Sequence, residues 1–296
     1  MVERFLHYLQ YEKRYSPHTV ISYKNDLEQF AAYLEQNYEL ENPSMATHIM
    51  IRSWFVQMME GNILPRSVNR KKASLNSFYK FLKKQGELKE NPMLKVLSPK
   101  TSKRLPAFIE EDKMKTLLDE SFSDKPNDFT TVRNLLIIEM FYVTGMRLSE
   151  LVNLKEKDVS LYNLTLKVMG KRSKERLIPF NNRFKALIEK YISIKHKTFG
   201  AEINSEFLFV TNKGEKIYQK LIYRIVNHYL SIITLQEKKS PHVLRHTFAT
   251  HMLNHGADLN SIKEILGHAN LSATQVYTHN TIEKLKTIYK QAHPKA

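Results

Sequence analysis

Apolar residues recur along the first third of the chain at alternating spacings of three and four, the period of an amphipathic helix. Val20, Tyr23, Leu27, Phe30 and Leu34 make one stripe, Ile51, Trp54, Phe55 and Met58 a second, and Val68, Leu75, Phe78 and Leu82 a third. With Phe5 and Leu9 they predict about four helices, enough for a small all-helical domain. Ser16-Pro17 marks one helix start, because serine caps and proline is tolerated at the first helical position. Stepping the fourth helix by about 100° per residue collects Arg66, Asn69, Arg70, Ala73, Ser77, Lys80 and Lys84 opposite its apolar stripe. Cations and amides among small residues suit a helix laid in a major groove. On this feature alone an ordinary solvated face is the stronger reading.

Periodicity breaks at Asn91-Pro92 and again over residues 98–106, a polar, proline-containing stretch that reads as an interdomain linker. Its lysines can also track a phosphate backbone. The expected organisation is a helical domain over 1–97, the linker 98–106, and a second domain over 107–296. In that second domain Leu164, Leu166 and Val168 alternate with polar residues as in a half-buried strand. Residues 170–174 read as a turn, Arg176–Pro179 as the returning strand, and Phe207–Val210 as a further short strand before a turn at 211–214. The remainder reads as helix, so the fold class is mainly α with a small antiparallel β-sheet in the C-terminal domain.

A chain of 296 residues exceeds what one small core usually holds, which agrees with two domains. No apolar run reaches about 18 residues, and the N-terminus lacks a signal-peptide pattern, so a cytoplasmic protein without membrane insertion is expected. The absence of cysteine excludes disulfides, thiolate metal sites and a cysteine nucleophile together. Net charge is +16, with the basic residues spread through periodic segments rather than gathered in tails. That excess favours a polyanionic partner, nucleic acid first.

The densest chemistry lies in 240–279. Ser240 can cap a helix with Pro241 at its first position, which puts His242 in the first turn and Arg245 three residues on, on one face. A helix N-terminus already attracts anions through its free N–H groups. Gly256 then stops the helix, and Asp258 caps the next one. Leu259, Ile262, Ile265 and Leu266 form the buried stripe of that short helix, and Gly267 ends it before His268. Ser272 can cap a last short helix that presents Tyr277. Two other readings compete. His242/His246 and His251/His255 have a zinc-compatible spacing, but no Glu follows the first histidine as a metalloprotease helix needs. The paired short helices also resemble a helix-turn-helix, which would make the protein a DNA-binding regulator without chemistry.

The order His-x-x-Arg, His, Tyr resembles the tyrosine recombinase family, and its wording is close to the Xer branch. Thr144-Gly-Met-Arg147-Leu-Ser-Glu150-Leu is similar to that family's first arginine box, and Gly170-Lys171-Arg172-Ser173-Lys174-Glu175-Arg176 to its lysine hairpin. Leu-Gly-His268 and Tyr277-Thr-His279 are similar to its last two boxes, and His293-Pro294-Lys295-Ala296 to Xer chain ends. The similarity covers essentially the whole chain. Arg172-Ser173 departs from it, since the family often has glycine in that turn.

The resemblance implies a two-domain DNA clamp and a catalytic set of Arg147, Lys171, His242, Arg245, His268 and Tyr277. Tyr277 would attack the phosphorus and form a 3′-phosphotyrosine, with Arg147 and Arg245 clamping the phosphate. Lys171 would protonate the departing 5′ oxygen. His242 would assist proton transfer at the tyrosine, and His268 would hydrogen-bond the phosphate. Glu150 would orient Arg147. Bond energy held in the phosphotyrosine makes a nucleotide or metal unnecessary, so no cofactor is expected. The implied partners are double-stranded DNA at a specific site, a homo- or hetero-tetramer on two duplexes through a Holliday junction, and an FtsK-type DNA translocase. Arg66, Asn69, Arg70 and Lys80 are the expected DNA contacts of the helical domain. The implied role is resolution of chromosome or plasmid multimers. A mobile-element integrase or DNA invertase shares the chemistry; the lack of an arm-binding domain before the helical third argues against phage-type integrases. A type IB topoisomerase is a third possibility. Past Tyr277, Ile282, Leu285, Ile288 and Tyr289 make a short amphipathic helix that must pack on something. The resemblance points to a neighbouring protomer.

Overall fold

The computed structural model describes residues 1–101, 107–123, 128–170, 175–200, 206–267 and 279–295, with the backbone alone for 120–123 and 279–284. The chain divides into two units, Met1–Arg104 and Leu105–Ala296, each with its own apolar core. Among the described residues no helix is long and apolar enough to cross a membrane.

The first unit contains α1 (Val2–His7), α2 (Pro17–Tyr38), α3 (His48–Glu60) and α4 (Pro65–Lys84). The Ser16 side chain accepts the Thr19 N–H at 3.3 Å, and Thr47 caps α3 in the same way through Met50. Every member of the three stripes from Leu27 onward is buried except Met58 at the edge of α3, and Phe5 and Leu9 complete the core. Buried between α2 and α4 is a carboxylate, Asp26. It accepts both Nη atoms of Arg70 (2.5 and 2.7 Å), the Lys71 ammonium (2.9 Å) and the Ser74 hydroxyl (2.7 Å). These bonds outweigh the effect of burial and hold its pKa below the usual carboxylate value. The start of the stretch expected to be a linker is fastened to α4: Lys72 donates to the Val96 carbonyl and to Ser98, and Asn69 to the Pro99 carbonyl. Residues 102–106 lie outside the described residues.

The second unit is built on α6 (Phe129–Thr144), which is buried on nearly every face and so runs through the core rather than along it. Around it lie α5 (Glu111–Ser123), α7 (Leu148–Asn153), α8 (Asn182–Phe199), α9 (Gln219–Ile233), α10 (Pro241–Asn254), α11 (Leu259–Leu266) and α12 (His279–Ala292). A three-stranded antiparallel sheet, β1 (Val159–Ser160), β2 (Thr165–Met169) and β3 (Glu175–Pro179), has the order β1-β2-β3. Leu166 pairs with Ile178 and Met169 with Glu175; residues 171–174, expected to form the turn between these strands, lie outside the described residues.

Two sequence expectations change. Leu164 is not the first strand residue: it closes the turn before β2 with φ +54°, and β2 starts at Thr165. Phe207–Val210 is extended but joins no ladder, making only isolated bridges from Phe207 to Lys155 and from Val210 to Lys216. Its Leu208 carbonyl is instead taken by the Tyr191 hydroxyl of α8, so this buried segment is paired by side chains as much as by backbone. In the single chain the tail helix packs on its own unit. Leu285, Tyr289 and Ala292 are buried in the same core as α6 and α10, and Tyr289 stacks on His293 at 4.9 Å. His293 is bonded to the Tyr142 carbonyl, and burial brings its pKa down to about 4. The buried residues of α12 lie against α10, α11 and β3.

Candidate active site

The site begins where α6 ends. Gly145 caps α6 in the left-handed region, φ +59°, and a Cβ there would lie 2.5 Å from a Phe248 ring carbon and 2.7 Å from a Leu266 methyl. Only glycine meets both demands, and the resulting sharp turn places Arg147 at the N-cap of α7. Glu150, three residues on, reaches back to accept the Arg147 backbone N–H at 2.7 Å, the acidic half of a capping box. The same carboxylate accepts Arg147 Nη1 at 2.8 Å, while Arg147 Nη2 donates to the Gly267 carbonyl at 3.0 Å.

A second arginine arrives from β3. Arg176 is 3% exposed and forks onto Glu150, with Nη1 to Oε1 at 2.9 Å and Nη2 to Oε2 at 2.7 Å. Its Nε donates to the Ile265 carbonyl at 2.7 Å. A third comes from α10: Arg245, 8% exposed, donates to the carbonyls of Gly145 (2.5 Å) and Leu266 (2.8 Å). The C-terminal end of α11 thus offers three successive carbonyls, Ile265, Leu266 and Gly267, one to each arginine.

The electrostatics follow from this crowding. Burial alone would raise the Glu150 pKa, but the hydrogen bonds and charge of Arg176, then of Arg147, hold it below the usual carboxylate value. Among the described residues Arg245 has no carboxylate partner of its own. Burial and the positive charges of Arg147 and Arg176, opposed by Glu150, bring its pKa down to about 9. An anion placed beside it would reverse that shift. Arg147 is the most exposed of the three and borders a cleft shared with Asn153, Lys167, Met169 and Gly170, the residue before Lys171.

Of the predicted catalytic residues, Arg147 and Arg245 come together, 98 positions apart in sequence, through Gly145 and the end of α11. His242 stands one turn before Arg245 on α10 with its side chain exposed. Lys171, His268 and Tyr277 lie outside the described residues. Ser240 occupies the N-cap position of α10, but its side chain makes no capping bond, and Pro241 and the Ser240 carbonyl start the helix instead. Asp258 caps α11 as expected, through Asn260 and Ser261. The other histidines separate. Both ring nitrogens of buried His251 are engaged, by the Tyr142 hydroxyl and the Ile109 carbonyl, and His255 pairs with Glu111.

On α4, Arg66 and Lys80 are exposed, whereas Arg70 is shared with Asp26 and the Asn69 amide is committed to Pro99. Arg176 was given no role from sequence. Its signal was present: it is a charged residue two positions before Ile178 in a strand whose alternate positions face the core.

Residues 107–284 match the Phage integrase family, and residues 2–86 match the Phage integrase N-terminal SAM-like domain. Tyrosine recombinase XerC of Chlorobaculum parvum is 36% identical, covering 100% of this chain and 94% of that protein. Tyrosine recombinase XerD of Listeria monocytogenes is 35% identical, covering 100% and 99%. Among solved structures, the XerH site-specific recombinase bound to palindromic difH substrate superposes with a TM-score of 0.73 at 20% identity, over 100% of this chain and 82% of that one. Family match and full-length identity agree: this chain belongs to the phage integrase family of tyrosine recombinases, enzymes that cut and rejoin DNA strands.

Proposed function

We propose that the arginine cluster is the phosphate seat of an Xer-type site-specific recombinase. The observation that carries this reading is the convergence of Arg147 and Arg245 beside a single carboxylate that a third arginine already satisfies. Three guanidiniums face one carboxylate, so the site holds positive charge for which an anion is the natural complement. In the reaction, Tyr277 Oη attacks the scissile phosphorus and loses its proton, with His242 assisting. The bond from phosphorus to the 5′ oxygen breaks, and Lys171 supplies that oxygen with a proton. Arg147, Arg245 and His268 hold the non-bridging oxygens throughout. The 3′-phosphotyrosine keeps the energy of the broken bond, and the 5′-hydroxyl of a partner strand reverses the step to give a Holliday junction.

The substrate is duplex DNA at a specific site, and two duplexes call for four protomers, in a homo- or hetero-tetramer. The full-length likeness to the XerC and XerD proteins supports resolution of chromosome or plasmid multimers in the cytoplasm, with an FtsK-type translocase as activator. Arg66 and Lys80 contact the DNA backbone; Arg70 and Asn69 do so with whatever donors Asp26 and Pro99 leave them. A suicide substrate nicked near the cut site, run on a denaturing gel, tests the nucleophile. Wild type should trap a covalent adduct, and Tyr277→Phe should bind DNA equally well and trap none. An adduct persisting in that variant would overturn the assignment.

A further inference from the structure

Arg176 is buried, multiply bonded and assigned no part in the chemistry. Each of its three nitrogens is used inside the protein, on Glu150 Oε1, Glu150 Oε2 and the Ile265 carbonyl. At 3% exposure it does not reach a DNA phosphate. Its aliphatic stem lies against Gly267, where a Cβ would come within 3.1 Å of Arg176 Cδ. It therefore touches the three segments that form the seat: α7 through Glu150, the end of α11 through Ile265, and β3, its own strand.

Glu150 has a conflict to resolve. It is needed to cap α7 and hold Arg147, yet a buried carboxylate 2.8 Å from Arg147 Nη1 cancels charge that a phosphate would otherwise meet. The Arg176 fork supplies that carboxylate with two charge-assisted hydrogen bonds of its own, a geometry that lysine does not reproduce. Glu150 and Arg176 together form a near-neutral pair. The charges of Arg147 and Arg245 then remain for the substrate.

We propose that Arg176 is a positioning residue for strand cleavage, which neutralises Glu150 so that Arg147 and Arg245 keep their positive charge for the scissile phosphate. The proposal rests on the phosphate-seat reading above. The test is single-turnover cleavage of nicked half-sites by Arg176→Met and by the paired variant Glu150→Gln/Arg176→Met. Each is run on an ordinary phosphodiester and on a methylphosphonate, whose scissile phosphorus carries no negative charge. Arg176→Met should cleave the phosphodiester on the order of 10² more slowly. Its half-site affinity should stay within about threefold of wild type, since the phosphate contacts that dominate binding are intact. On the methylphosphonate the deficit should shrink at least tenfold, because less positive charge is required.

The paired variant keeps the cap through the Gln carbonyl and removes the surplus charge. It should fold even if Arg176→Met alone does not, since breaking a buried pair from one side is the costly change. It should also cleave the phosphodiester within about tenfold of wild type, a bound set well inside the single-variant loss. A folded paired variant still down on the order of 10² on both substrates would overturn the proposal, leaving Arg176 a packing residue. An Arg176→Met enzyme as fast as wild type would do the same. Tyr277→Phe runs alongside: if wild type itself traps no Tyr277 adduct, the phosphate-seat reading fails, whatever Arg176 does.

Discussion

Each unit holds a buried carboxylate hydrogen-bonded by cations, Asp26 in the first and Glu150 in the second, and the two clusters are put together differently. In the first unit Asp26 of α2 gathers Arg70, Lys71 and Ser74, all from α4, and the result fastens one helix to another. The cations are spent on that contact, although half of the Arg70 side chain remains exposed. In the second unit Glu150 gathers Arg147 from its own helix and Arg176 from a strand, while Arg245 beside them, among the described residues, bonds only carbonyls. Two cations against one carboxylate leave a surplus of one in the first cluster; three against one leave two in the second. Buried charge tolerated without a partner costs stability, and a protein keeps it where a ligand will supply the partner. The first cluster is a rivet, and the second is an incomplete one that, on the phosphate-seat proposal, the scissile phosphate would complete.

The sharpest way to break this contrast is Arg245→Ala. Cleavage should fall on the order of 10³, about 4 kcal/mol of barrier, as for loss of a donor aimed at developing charge. Its thermal midpoint should move little, because a desolvated guanidinium beside two others is removed along with its two carbonyl contacts. A large loss of stability with normal cleavage in the surviving fraction would make Arg245 another rivet.

Next in size is Asp26→Ala, which leaves the buried Lys71 with Gln29 but without its carboxylate. Unfolding by urea should show a loss of about 3 kcal/mol, the low end for breaking a buried pair from one side. The folded pKa of Asp26 is lowered, so its contribution is fully present above the unfolded carboxylate value and disappears as pH falls through the folded one. The gap between wild type and Asp26→Asn should therefore be constant above about pH 5 and close below it. A gap that widens toward acid would contradict the shift. The smallest effect is expected from Arg70→Ala. Lys71 and Ser74 still satisfy Asp26, so stability should drop by about 1 kcal/mol in the same urea titration. A loss as large as that of Asp26→Ala would mean that Arg70 alone holds the cluster.

Much of this molecule follows from local rules. The stripes from Leu27 to Leu82 and the caps at Ser16 and Asp258 depend on residues within a turn or two of one another, so they were readable along the chain. The same holds for the glycine stop at Gly267, which is in the left-handed region as a helix end demands. Arg147, Arg245 and Glu150 could be singled out because their boxes sit intact in the sequence, and the structure brings these residues together at one place. What escaped was pairing at a distance. Arg70 looked free for DNA because Asp26 lies 44 positions away, on a helix whose rotation relative to α4 no local period reports. Phe207–Val210 had the composition of a strand, but its backbone partners come from a loop and from side chains of α8.

The sequence by itself determined the helical and strand periods, the basic balance and the ordered boxes that resemble those of the recombinase family. Only the tertiary structure decided which cations are spent and which are kept, and where the tail packs. Arg176 became a partner of Glu150, and α12 closed over its own core, because burial forces every charge and every apolar stripe to find its complement in space, however far along the chain that complement lies.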